Sequence, residues 1–269
     1  KNPEDFALWK FNSQIGFDSI WGKGFPGWHV ECSAMSIKFL GEQFDIHTGG
    51  IDLIPIHHTN EIAQSECATG KKPSVRFWMH SEFIDIKGAK MAKSEGNFLK
   101  ISNILEKKIN PTTYRFWLLM GHYRTKMNFN WDVLEGSEIA LKRLYRLYLE
   151  LGEGIGAVSK EYQEKFKNFI QDDLDTPQAL ALLWDLLKDE KISNADKKAT
   201  LLDFDKVLGL GFENLKEEII PEEIIKLAEE RESARKNKDF KLSDELRSKI
   251  NLLGYQVEDS GESYKISKI

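Results

Sequence analysis

The sequence predicts an α/β sheet followed by an α-helical bundle and a small terminal α+β unit. Three observations carry this. Residues 43–86 run strand, helix, strand, an order that points to an α/β sheet. Residues 131–210 carry apolar side chains at helical spacing. After Pro221 come two amphipathic helical stretches and a hairpin pattern.

The elements follow in order. Residues 1–27 read as irregular, and Gly22-Lys23-Gly24-Phe25-Pro26-Gly27 reads as a loop from its breakers. A helix is predicted over 31–40, with Ala34, Met35, Phe39 and Leu40 apolar and Gly41 as its stop. A short strand over 43–47 is followed by a Thr48-Gly49-Gly50 turn, where small residues let backbone approach a ligand. A second helix covers 59–69 and ends at Gly70. Val75–Met79 and Phe83–Ile86 read as strands. Lys87 to Asn97 is a loop with Lys90 and Lys93 among small residues. It suits phosphate neutralisation, and it equally suits an exposed hairpin.

From residue 101 the pattern turns helical, and Pro111 fits the first position of a helix. The bundle stripe comprises Ile139, Leu141, Leu144, Leu147, Tyr148 and Leu151, then Leu180, Leu183, Trp184 and Leu187, then Leu201, Phe204, Val207 and Leu208. Gly209-Leu210-Gly211 and Pro221 bracket a linker. In the last unit Leu242, Leu246, Ile250 and Leu253 share a helical face. Tyr255–Glu258 and Ser263–Ile266 are placed to pair across a turn.

The 269 residues suggest two or three domains. Two cysteines argue against a disulfide scaffold and for a reducing, cytosolic setting. No apolar run approaches the ~20 residues that span a bilayer, and no signal-peptide pattern opens the chain. The net charge is −5. Residues 87–146 carry 12 Lys+Arg against 5 Asp+Glu, a local net of +7, while the remainder is 26 against 38, or −12. This basic segment could face a polyanion or form a solvated helical face.

Residues 28–61 hold one of the two cysteines and four of the six histidines. His57 and Glu61 are four apart and can share a helix face, with a helix expected to start near Thr59 or Asn60. Cys32 offers a third ligand, and sulfur, imidazole and carboxylate together suit zinc. Spacing alone leaves two ordinary alternatives open: a solvated His-x-x-x-Glu pair and a small core cysteine.

Several motifs then converge. Gly27-Trp28-His29-Val30-Glu31-Cys32, Phe44-Asp45-Ile46-His47, Gly49-Gly50-Ile51-Asp52-Leu53, His57-His58 with Asn60-Glu61, and Lys90-Met91-Ala92-Lys93-Ser94 occur in that order. Together they resemble the cysteinyl-tRNA synthetase family of class I aminoacyl-tRNA synthetases. Gly121-His122-Tyr123-Arg124, Asp172-Asp173 with Thr176-Pro177, and Ala234-Arg235-Lys236 through Asp244 fit the same resemblance. It covers essentially the whole chain. The family's His-Ile-Gly-His motif and a further zinc-ligating cysteine have no match, so the chain is expected to lack the N-terminal half of the catalytic domain and to be inactive alone. Ala92 for a serine, Thr48 for a glycine, Thr59 for a glutamate and Phe240 for a tryptophan depart from the usual pattern.

The resemblance implies a partial Rossmann-like catalytic domain over 1–86, a KMSKS-type loop and stem-contact region over 87–130, a helical bundle over 131–215 and an anticodon-binding domain over 216–269. It implies zinc on Cys32, His57 and Glu61. Trp28 and His47 would line a cysteine pocket, and Gly50, Asp52 and Lys93 would meet ATP, which brings Mg2+. Lys90 and Lys93 would act on the leaving pyrophosphate. Arg235, Phe240 and Asp244 would read the anticodon of tRNA(Cys). His29, His58 and Cys67 are expected to be structural or to support the ligands from behind. The implied enzyme is a cytoplasmic, monomeric ligase that joins L-cysteine to tRNA(Cys) through cysteinyl-adenylate. The alternatives are a non-catalytic tRNA-binding module and a cysteine–amino-sugar ligase of mycothiol synthesis. The intact lysine loop and zinc-type ligands argue against the first, and residues 221–269 argue against the second.

Overall fold

The structure is a computed structural model that describes residues 6–86, 88–90, 99–215, 220–260 and 263–268. The chain divides into two compact units, Lys1–Asn214 and Leu215–Ile269.

The first unit opens with a hairpin of β1 (Trp9–Phe11) and β2 (Gly24–Pro26), which pair antiparallel with Lys10 opposite Phe25. This corrects the reading of 1–27 as irregular. Gly24 permits the pairing, since a Cβ there would lie 2.3 Å from the Lys10 carbonyl oxygen. Helix α1 (Trp28–Leu40) begins three residues earlier than the apolar pattern predicts, directly after Gly27.

Strand β3 (Phe44–Gly50) takes in the Thr48-Gly49-Gly50 segment expected as a turn. The chain turns instead through a 3₁₀ segment at Ile51–Leu53 and a π-turn at Ile54–His58, which runs straight into α2 (Thr59–Thr69). The histidine pair therefore sits in the π-turn, and no cap separates it from α2. Helix α2 packs on α1 and ends at Gly70 in the left-handed conformation. Strand β4 (Val75–Ser81) then pairs parallel with β3, placing His47 opposite Trp78 and Gly49 opposite His80. Alternation sends Ile46 and Phe77 to the opposite face, where both are exposed.

Next, β5 (Ile84–Ile86) pairs antiparallel with β6 (Ala89–Lys90) and parallel with β7 (Met127–Phe129). Between them lie α3 (Ile101–Glu106) and α4 (Pro111–Leu119), the latter capped by Asn110 with Pro111 in its first turn. Ile104, Ile109, Trp117, Phe129 and Leu134 form one buried cluster under these strands.

The bundle consists of α5 (Trp131–Leu149), α6 (Lys160–Gln171), α7 (Thr176–Lys188) and α8 (Asn194–Leu208). Leu141, Leu144, Leu183, Leu186, Leu201 and Phe204 are buried in it, and Phe166 stacks on Phe204 at 4.1 Å. Ile139 and Val207, expected in the stripe, are exposed. They lie at the margins of their apolar faces, where 3.6-residue periodicity carries a side chain off the seam.

In the second unit α9 (Glu222–Lys236) packs on α10 (Phe240–Leu252), and β8 (Tyr255–Ser260) pairs antiparallel with β9 (Ser263–Lys268). Ile224, Leu227, Ala228, Leu246, Ile250 and Val257 are its core. Leu242 and Leu253 of the expected apolar face are largely exposed, so the seam is narrower than the pattern suggests. No described helix is long and apolar enough to cross a membrane.

Candidate metal centre

The candidate centre is built by α1, the end of β3, the π-turn, α2 and β4. Cys32 projects from α1, His57 from the π-turn and Glu61 from the first turn of α2. Packing of α1 on α2 brings one ligand atom from each of these three within 4.8 Å of the others. His57 and Glu61 are buried and Cys32 is half-buried.

His57 Nε2 lies 2.8 Å from Glu61 Oε1. Yet no hydrogen-bond donor is aligned on that buried oxygen. Burial pushes the Glu61 carboxyl above its usual range, an effect partly opposed by a hydrogen bond from the Cys32 thiol. Burial and the neighbouring Glu61 push the Cys32 thiol up to about 11. A pocket that raises both an acid and a thiol is short of positive charge. Soft sulfur, imidazole nitrogen and carboxylate oxygen are donors that a zinc ion accepts together. The three residues therefore fit a zinc ion.

Around this trio stands a histidine cage. His29 Nδ1 lies 2.7 Å from His57 Nδ1, which leaves the other His57 nitrogen directed at Glu61. His47 Nε2 lies 3.2 Å from Glu61 Oε2. His58 Nδ1 lies 2.8 Å from His80 Nε2. His47, His58 and Glu61 form a second group of converging ligand atoms. Burial pushes all five histidines below their usual value, most strongly His58, which falls to about 4. The lowered values favour neutral imidazole, the form whose free nitrogen can bind a metal. Gly49 makes the cage possible, because a Cβ there would lie 2.6 Å from His58 Cε1.

The residues expected to line a pocket flank this group. Trp28 stacks on His57 with ring centres 4.0 Å apart and keeps a largely exposed face. His47 packs on Trp78 at 4.7 Å. Gly50 and Asp52 meet at the end of β3, and the Asp52 side chain is exposed. Lys90 ends β6, opposite Asp85, and Lys93 lies outside the described residues. Arg235 pairs with Asp259 of β8. Phe240 and Asp244 lie one turn apart on α10, both exposed.

The sequence reading missed His80 and gave His29 and His58 no partners. The available signal was the β3–β4 register, which sets Trp78 and His80 beside His47 and Gly49. Register between distant strands is not written in local spacing.

The fold resembles one chain of the ternary complex of Agrobacterium radiobacter K84 agnB2 LeuRS, tRNA and LeuAMS. The TM-score is 0.54 at 15% identity, covering 76% of this chain and 32% of that one, a likeness of fold alone. A family model described as the tRNA synthetases class I (C) catalytic domain matches residues 1–138, and the chain belongs to that family. Curated relatives include the cysteine–tRNA ligase of Treponema denticola, 43% identical over 96% of this chain and 60% of its own length. Cysteine–tRNA ligase 1 of Burkholderia lata is 42% identical over 97% and 57%, and the enzyme of Caldicellulosiruptor saccharolyticus 40% over 100% and 63%. The chain thus spans about 60% of the length of the relatives it matches.

Proposed function

We propose that this chain forms the cysteine-selecting and tRNA-binding part of an ATP-dependent ligase that joins L-cysteine to tRNA(Cys) through cysteinyl-adenylate. The observation that carries this reading is the convergence of Cys32, His57 and Glu61, whose ligand atoms lie within 4.8 Å of one another with His57 and Glu61 buried. A zinc ion held there would supply a borderline-soft acceptor that distinguishes a cysteine thiolate from a serine hydroxyl. Trp28 offers a flat apolar wall beside that point, and His47 holds the second oxygen of Glu61. Asp52, exposed beside Gly50, accepts hydrogen bonds from the ribose of ATP, which binds with Mg2+. Lys90 and Lys93 neutralise the leaving pyrophosphate. Arg235, Phe240 and Asp244 contact the anticodon, Phe240 by stacking on a base. Residues 221–269 lie in a separate compact α+β unit, a part the resemblance does not expect in an amino-sugar ligase.

The test is cysteine-dependent ATP–pyrophosphate exchange, run with this chain alone and with a polypeptide supplying the His-Ile-Gly-His half of a relative. Exchange that requires cysteine and is abolished by Cys32→Ala supports the reading. Exchange supported equally by serine, or tRNA binding with no exchange in either preparation, sinks it.

A further inference from the structure

Two segments joined only by the family resemblance, residues 121–124 and 172–177, touch in the fold. Asp173 lies in the turn between α6 and α7. The Asp173 carboxylate accepts Arg124 Nε at 2.6 Å, Arg124 Nη2 at 3.2 Å and the Tyr123 hydroxyl at 2.5 Å. Its backbone carbonyl oxygen lies 2.9 Å from His122 Nε2. Asp173 and Leu174 both hold positive φ, at 53° and 58°, a conformation that two consecutive non-glycine residues seldom adopt. Strain of this kind persists where surrounding contacts over-determine it, and it concentrates at working parts of a protein.

The other side of the 121–126 loop grips the strands. The Glu82 amide, just past β4, donates to the Tyr123 carbonyl at 2.9 Å, and Lys126 pairs with Asp85 of β5 at 2.9 Å. Strand β4 carries His80, the partner of His58 in the histidine cage. Strand β5 pairs with β6, which ends at Lys90. One loop is thus clasped to the bundle on one side and to both strand segments of the site on the other.

We propose that Asp173 is a positioning residue: through Arg124 and Tyr123 it fixes the β4–β5 junction, and so sets the zinc-type cluster relative to β5 and its partner β6. The consequence for catalysis rests on the ligase reading above. Asp173 touches no substrate in this scheme and acts only through the loop.

The test uses Asp173→Asn and Asp173→Gly. Both tolerate left-handed backbone, so the turn survives while the charged fork is lost. In the 269-residue chain, hydrogen exchange of the Glu82 amide and of the β5 amides should quicken about tenfold, the factor expected for losing one charge-assisted bond. Peptides from α1 and β3 should not change. Arg124→Lys, which keeps the charge but loses the fork, should fall between wild type and Asp173→Gly. Unchanged exchange over 82–86 overturns the proposal. In the preparation that supports cysteine-dependent exchange of pyrophosphate, kcat should fall about tenfold with KM for cysteine unchanged. A rise in KM for cysteine at constant kcat, or no kinetic change, overturns the positioning role. Absence of any cysteine-dependent turnover in wild type would refute the ligase reading instead, and amide exchange would still decide the clasp.

Discussion

Arg231 is 2% exposed, yet it is a full positive charge in a unit with a small core. Asp259 holds it with two bonds, from Nη1 at 2.8 Å and Nη2 at 3.1 Å, and the buried Nε finds no partner among the described residues. Asp259→Ala would strand that guanidinium. Breaking a buried pair from one side costs about 3–5 kcal/mol. Asp259 is 38% exposed, so water reaches the pair and the lower end, about 3 kcal/mol, is the appropriate figure. A unit of this length holds roughly 3–8 kcal/mol in total, so the loss removes much of it. Arg231→Met with Asp259→Ala removes charge and partner together and should recover most of the stability. The assay follows from composition. All seven tryptophans lie in the first unit, so tryptophan fluorescence on urea unfolding reports that unit as an internal control. Peptide-resolved hydrogen exchange reports the second. Protection in α9 and α10 should drop at least about 100-fold in Asp259→Ala. A single variant within a few-fold of wild type, or a double variant as unstable as the single, would refute the reasoning.

Other predictions are more direct. Cys32→Ala should weaken zinc binding at least about 100-fold in equilibrium dialysis, and His29→Ala about 10–100-fold through loss of the bond that orients His57. Leu183→Ala, at a fully buried bundle position, should cost about 3–5 kcal/mol, read as an earlier fluorescence transition. Arg231 holds the Asp259 carboxyl below its usual range, so its contribution is present above about pH 4 and is lost as pH falls through the lowered value. Amide protection in the second unit should fall over that acid range in wild type, and the Arg231→Met/Asp259→Ala double variant should lack this step.

The elements were legible wherever local chemistry decides them. Pro111 after Asn110 marks a helix start, Gly70 a stop, and the Leu180–Leu187 spacing a buried seam, because each depends on neighbours in sequence. The trio Cys32, His57 and Glu61 was legible through donor chemistry, although its π-turn setting was not, because Pro55 and the histidine pair give no cap signal. The β1–β2 hairpin hid behind breakers that also serve close strand approach at Gly24. His80 and Asp173 depend on strand register and on loop packing across many residues. Periodicity carries no information about either.

The separations of these contacts along the chain order the assembly of the molecule in time. His29 meets His57 across 28 residues, Arg124 meets Asp173 across 49, and Arg115 reaches the Leu208 carbonyl across 93. Loop-closure entropy rises with separation, and non-local contacts form late. The His29–His57 contact therefore closes a shorter loop than the Arg124–Asp173 clasp and should form first. Pulse-labelled amide exchange during refolding would show α1 and α2 protected ahead of residues 121–126. The ligand atoms of the centre come from residues 28–80, and the clasp at Asp173 adds a constraint from a later part of the chain.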